Sequence, residues 1–190
     1  GEKTVKGPSV FQGYYKDNKK TKEAFTEDGY FMTGDIGHID AEGFLHITDR
    51  KKEMFKTSGG KYVAPQVLEN LAKGSKFIEQ IMVVGDGEKM PCALVQPDYA
   101  FAKLWAERKH LKIGKTPEEM ANSPELKARI MKDINLLNAT LGKWEQIKKI
   151  ELTPTLWTIE DGLLTPTMKL KRKAVKEKFF NLYEKLYDRA

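Results

Sequence analysis

The chain changes character near residue 50, and that change limits how much of it can fold as one body. Residues 1–49 hold 6 lysines against 9 acidic residues, and residues 50–190 hold 27 lysines and arginines against 18 acids, so the overall +6 conceals −3 followed by +9. Between them runs D-R-K-K-E-M-F-K-T-S-G-G-K-Y-V-A-P, from Asp49 to Pro65, which is dense in positive charge, carries a Gly-Gly pair and ends where a helix can begin. A sign flip over so short a distance marks a domain boundary. The first part reads as extended pieces joined by glycine turns, with D-A-E-G between Ile39 and Phe44 as a hairpin turn and F-L-H-I-T (44–48) as a strand. No helix of useful length is expected there, and so short a segment cannot bury a core alone.

After Arg50 the periodicity changes. Met54 to Thr57 and Lys61 to Val63 read as two strands around a Ser-Gly-Gly turn, and Pro65 opens a helix with Val67, Leu68 and Leu71 on one face. Ile78 to Val84 and Cys92 to Gln96 are strand-like. Asp98 caps a helix running to about Leu111, and residues 112–122 read as a polar loop. Ser123-Pro124-Glu125 is a strong helix start; Leu126, Ile130, Ile134, Leu137 and Leu141 then recur at helical spacing until Gly142. Ile147 to Leu152 is a further strand, and a last helix from Lys171 buries Val175, Phe179, Leu182 and Leu186. The expected class is α+β: a small domain with a short central sheet of about three strands plus a β-hairpin, covered by helices and preceded by a β-rich segment.

Composition narrows the function classes. The apolar runs are far too short to span a bilayer, and the first residues have no signal-peptide pattern. The one cysteine, Cys92, rules out an internal disulfide framework, and its neighbours Ala93, Leu94 and Val95 make it a small buried hydrophobe rather than a nucleophile. With no initiator Met, the chain reads as a fragment of something longer. Its basic second part suits phosphate-bearing partners or an anionic membrane, or is simply a lysine-rich surface. His38, His46 and His110 lack metal-ligand spacing, so no metal site is expected.

Four stretches can carry chemistry: T-G-D (33–35), D-R-K-K-E (49–53), K-T-S-G-G-K-Y-V-A-P (56–65) and L-T-P-T-M-K-L-K-R (164–172). Standing alone, each has a plain reading. Asp35 can be a capped turn, Gly59–Gly60 a simple turn, and Lys169 a solvated loop lysine.

Together and in this order, the four resemble the C-terminal region of adenylate-forming enzymes, the superfamily of acyl-CoA synthetases, peptide-synthetase adenylation domains and firefly luciferase. The Y-V-A-P-Q-V-L-E-N form (62–70), with the last motif, looks most like the long-chain fatty-acid–CoA ligases. G-P-S-V-F-Q-G-Y-Y-K-D (7–17) is similar to the family segment upstream of T-G-D, so the resemblance covers essentially the whole chain.

The resemblance implies a large N-terminal domain that binds ATP and fatty acid, closed by a small lid. Residues 1–50 would be the β-rich tail of the former and residues 51–190 the mobile lid, with the hinge at 49–52 centred on Lys52. The implied ligase joins a fatty acid to ATP, releasing pyrophosphate, and then passes the acyl group to CoA, releasing AMP. Asp35 would hold the ribose hydroxyls, with Arg50 supporting the same ribose, and Lys169 would be the adenylation lysine. After lid rotation Gly59 and Gly60 would line the pantetheine tunnel, with Lys56 serving the thioester step. Mg²⁺ would arrive with ATP. Implied partners are long-chain fatty acid, ATP, CoA and the missing N-terminal domain, with no nucleic acid. The implied setting is cytoplasmic, with peripheral membrane association left open, and the fragment alone would be inactive. Met168 stands where the family often has glycine or leucine. Two other readings stay open: a basic nucleic-acid-binding module, with Tyr62, Trp105 and Trp144 near lysines, and an adenylating enzyme whose acceptor is a carrier protein.

Overall fold

The computed structural model describes residues 1–189 and divides into two compact units, Gly1–Met54 and the chain from Phe55 onward. In the first unit, β1 (Glu2–Val5), α1 (Asn18–Ala24), β2 (Phe31–Ile39) and β3 (Leu45–Arg50) follow in order, and the strands form an antiparallel sheet ordered β1-β2-β3. The expected D-A-E-G turn joins β2 to β3: Asp40 N donates to Phe44 O, and Gly43 takes φ +90°, a conformation that favours glycine. The expectation of no useful helix needs correcting, because Asp17 caps the seven-residue α1 by accepting from Lys20 N at 2.9 Å.

This unit has an aromatic cluster but no buried apolar core. Phe11 lies 5.1 Å from Tyr14 and Phe31, and 5.5 Å from Phe25. Yet none of its hydrophobic side chains is among the fully buried ones, and Ile39, Phe44, Leu45 and Ile47 are each more than half exposed.

The second unit is built around a sheet buried on both faces. Its elements in order are β4 (Phe55–Lys56), β5 (Tyr62–Val63), α2 (Pro65–Ala72), β6 (Ile78–Val84), β7 (Cys92–Pro97), α3 (Tyr99–Arg108), α4 (Pro117–Ala121), α5 (Pro124–Asn138), β8 (Ile150–Leu152), α6 (Arg172–Lys178) and α7 (Phe180–Leu186). β6 pairs antiparallel with β7 and β7 parallel with β8, while β4 and β5 form a separate hairpin. Side chains alternate across the strands. Ile81, Val83, Ala93 and Val95 enter a core shared with α2, α3 and α5, and Met82, Val84, Cys92 and Leu94 enter a second core with Trp157, Leu163, Leu164 and the last two helices. Strands covered on both sides read as unbroken apolar runs. The α+β class with three sheet strands plus a hairpin is the expected one.

Local departures have local causes. Leu71 is half exposed, because α2 turns the carboxylate of Glu69 inward in its place. The expected loop at 112–122 contains α4, held by a capping box in which Thr116 Oγ1 accepts from Glu119 N and the Glu119 carboxylate accepts from Thr116 N. α5 stops at Asn138 rather than near Gly142, since the Asn138 side chain turns to bond both backbone groups of Ile147, at 2.8 and 2.9 Å. That leaves β8 shorter than expected. The last helix is two, bent at Phe179 (φ −110°, ψ 32°), and Tyr183 is buried where Leu182 is only partly so. Cys92 is buried as expected, and burial pushes its thiol pKa up.

Candidate active site

In the first unit, β2 and β3 bring two of the singled-out residues face to face. Asp35 and Arg50 are register partners, and the Asp35 carboxylate takes the Arg50 Nε–H at 2.8 Å. Gly34, at φ +74°, turns the chain so that Asp35 N can bond Thr33 Oγ1 at 3.1 Å. Both charged side chains stay open to solvent, Asp35 27% and Arg50 57% exposed, so the pair can still bind a polyhydroxylated ligand. A groove of about 660 Å³ opens beside Thr33, Gly34, Arg50, Lys51 and Lys52. Lys52 lies in a tight turn where Glu53 N and Met54 N both donate to Arg50 O.

The other singled-out residues lie in the second unit, on two hairpins. The first spans Thr57 to Lys61. Thr57 N donates to Lys61 O at 2.9 Å, Gly60 N donates to Thr57 O at 2.8 Å, and Gly60 sits at φ +80°. This is the three-residue hairpin loop in which a turn is followed by a left-handed residue, usually glycine. The cross-strand pair Phe55 and Val63, both buried, anchors its base. Gly59 and Gly60 are exposed. Lys56 is exposed on β4, its Nζ 5.7 Å from the centre of the Tyr62 ring, while Lys61 Nζ lies 5.6 Å from that of Trp144.

The second hairpin, Thr165 to Lys169, repeats the frame. Thr165 N donates to Lys169 O at 2.8 Å, Met168 N donates to Thr165 O at 2.8 Å, and Met168 takes φ +60°. In both hairpins the leading threonine hydroxyl accepts from the trailing lysine N–H, at 3.3 Å for Lys61 and 3.0 Å for Lys169. Leu163 and Leu164, each 1% exposed, bury the incoming strand, so the Lys169 side chain stands out in solvent on a fixed base. The left-handed conformation at 168 explains why glycine suits this position and why Met168 is strained there.

Three features escaped the sequence reading. Lys61 occupies in its hairpin the place Lys169 has in the other; the shared T-x-x-x-K spacing was visible, its hydrogen-bond frame was not. Glu69, 5% exposed, accepts from Val83 N at 2.7 Å and from Arg172 Nη2 at 2.7 and 2.8 Å. Glu88 accepts from Tyr183 Oη and Arg189 Nη2, both at 2.8 Å. Burial alone would raise the Glu88 carboxyl pKa, but the bonds from Arg189 and Tyr183 outweigh it and hold the group below its ordinary range. Burial and the bond to Glu88 push the Tyr183 hydroxyl up to about 12.

The family model of the AMP-binding enzyme C-terminal domain matches residues 53–190. The long-chain-fatty-acid–CoA ligase FadD15 of Mycobacterium tuberculosis is 42% identical over 189 residues, covering 100% of this chain and 31% of that protein. Human long-chain-fatty-acid–CoA ligase 1 is 40% identical over 190 residues, covering 98% of this chain and 27% of the relative. Among solved structures, the adenylation domain of a carboxylate reductase from Mycobacterium chelonae superposes with a TM-score of 0.77 at 29% identity, over 99% of this chain and 28% of that one. The chain thus spans less than a third of each of these proteins.

Proposed function

The chain belongs to the AMP-binding enzyme C-terminal domain family, and we propose that it is the C-terminal part of an ATP-dependent long-chain fatty-acid–CoA ligase. The observation that carries this reading is the similarity to long-chain ligases along its whole length. In this reading residues 1–50 complete a larger ATP- and fatty-acid-binding domain, which accords with the exposed Ile39, Phe44, Leu45 and Ile47 and the missing apolar core. Residues 51–190 are the lid, swivelling about Lys52.

Each residue then has a task. Asp35 offers its carboxylate to the two ribose hydroxyls of ATP, and Arg50 fixes that carboxylate while facing the same sugar. Lys169 brings an ammonium to the α-phosphate as the fatty-acid carboxylate attacks. Negative charge builds on the phosphoryl oxygens in that transition state, and a preorganised cation there is worth about 10²–10³ in rate. Mg²⁺ enters as the counter-ion of ATP. Once pyrophosphate leaves, rotation of the lid withdraws Lys169 and presents the Gly59–Gly60 hairpin. Its bare backbone lets the pantetheine arm of CoA pass closely, with Lys56 beside it.

CoA is the acceptor of choice, because the ligase relatives are the nearer in sequence; the carrier-protein reading leans on reductase domains at lower identity. A nucleic-acid module is not favoured for a member of this family. In the test, the full-length enzyme receives ATP and a long-chain fatty acid, then CoA. Pyrophosphate should appear in the first step, and acyl-CoA with AMP in the second. No pyrophosphate with any carboxylic acid would end the reading.

A further inference from the structure

Each lysine-bearing hairpin is braced within the second unit by its own glutamate. For Thr165–Lys169 the tie is Glu69. Lys171 N closes the base of this hairpin on Leu163 O at 2.9 Å, and the next residue, Arg172, bonds both carboxylate oxygens of Glu69. Glu69 also takes Val83 N at 2.7 Å, while Arg172 Nη1 reaches Val83 O at 3.3 Å. Because β6 lies at the edge of its sheet, the pair covers both outward backbone groups of Val83. Arg172 is only three residues past Lys169, a reach of about 10 Å. The pair therefore braces the outgoing strand of the hairpin, beside the Lys171 N–Leu163 O bond and the Leu164–Leu170 bridge.

For Thr57–Lys61 the tie is Glu88. Its backbone oxygen accepts from Ser58 N at 2.9 Å, and its neighbour Gly87 donates to Lys56 O at 2.9 Å. Its side chain is gripped from α7 and beyond by Tyr183 and Arg189. The loop is held at the hairpin by its main chain and at the helix by its carboxylate. The two sets of residues do not overlap.

We propose that Glu69 and Glu88 are positioning residues with opposite assignments. Glu69, through Arg172, aims Lys169 for the pyrophosphate-forming step; Glu88, through its backbone bonds to the hairpin, aims Gly59–Gly60 for the thioester step. The inference rests on the functional reading above and adds a separate support to each half-reaction. Isosteric Glu→Gln changes remove the charge of each tie without opening a cavity.

The experiment uses the full-length enzyme and measures pyrophosphate release, the reaction of supplied acyl-adenylate with CoA, and the melting temperature. Glu69→Gln should lower kcat for pyrophosphate release about tenfold while leaving KM for ATP and the CoA step within about twofold. Glu88→Gln should do the reverse. Ile130→Val, a core change that touches no residue bonded in either tie, supplies a control for loss of stability alone, compared at matched loss of melting temperature. Equal loss of both steps in either variant, or losses matching the control, would reduce the carboxylates to structural braces and overturn the proposal. Lys169→Ala in the same series separates the two failures. If it leaves pyrophosphate release intact, the functional reading falls; if it abolishes release while Glu69→Gln does not slow it, only the positioning role falls.

Discussion

Thr57–Lys61 and Thr165–Lys169 share one backbone frame but fill its middle differently, with Ser-Gly-Gly in the first and Pro-Thr-Met in the second. Gly60 takes the left-handed conformation at φ +80° without cost, whereas Met168 takes it at φ +60° against its own Cβ. The first hairpin presents bare backbone and the second presents an exposed methionine beside its lysine. The same fold of five residues thus presents a glycine pair in one place and an ammonium on a fixed base in the other. Local hydrogen bonding sets the shape, and the side chains at the middle positions decide what the shape can approach.

The largest test of that contrast is to remove the ammonium. Lys169→Ala should slow pyrophosphate release about 10²–10³-fold, measured in the full-length enzyme with ATP and fatty acid; a loss below tenfold would make the second hairpin no more chemical than the first. Next in size is the tie behind it. Arg172→Ala should cost about 2–3 kcal/mol in denaturant unfolding, below the usual figure for a broken buried pair because the arginine is about a quarter exposed.

Exchanging the fourth residues gives smaller effects of opposite sign. Gly60→Met should cost about 1–2 kcal/mol of stability from left-handed strain and slow the thioester step more than pyrophosphate release. Met168→Gly should gain up to about 1 kcal/mol as its strain is relieved. Equal effects at the two sites would mean that the frame does not constrain them as described.

The smallest effect concerns pH. The folded Glu88 carboxyl lies below its unfolded value of about 4.3, so its contribution is present above that pH and is lost as pH falls through the folded value. Glu88→Gln should therefore flatten the acid limb of stability below about pH 4.3 and leave neutral pH dependence unchanged. Melting curves from pH 7 downward would read this directly.

How much of this was legible in the sequence varied with the range of the interaction. Ile78–Val84 could be read to the residue, because burial on both sheet faces leaves the apolar run Ile81–Val84 behind the leading Ile78. α4 was missed although T-P-E-E carries a capping signal: among residues 112–122 only the apolar Ile113 and Met120 are buried, too few to set up a helical period. The residues Asp35, Arg50, Lys56, Gly59, Gly60 and Lys169 are singled out by motif order, not by any local pattern of their own. Glu69 left no trace, since a carboxylate within a helix looks solvated until its partner is known, and Arg172 lies 103 residues further on. The left-handed turn at Met168 was equally hidden, because nothing in the residue type asks for it.

The most direct measurement supplies preformed long-chain acyl-adenylate and CoA to full-length enzyme carrying Lys169→Ala. If the two hairpins serve separate steps, thioester forms within about threefold of the parent rate while pyrophosphate release from ATP is all but lost. A thioester rate reduced as deeply as pyrophosphate release would contradict the division of labour.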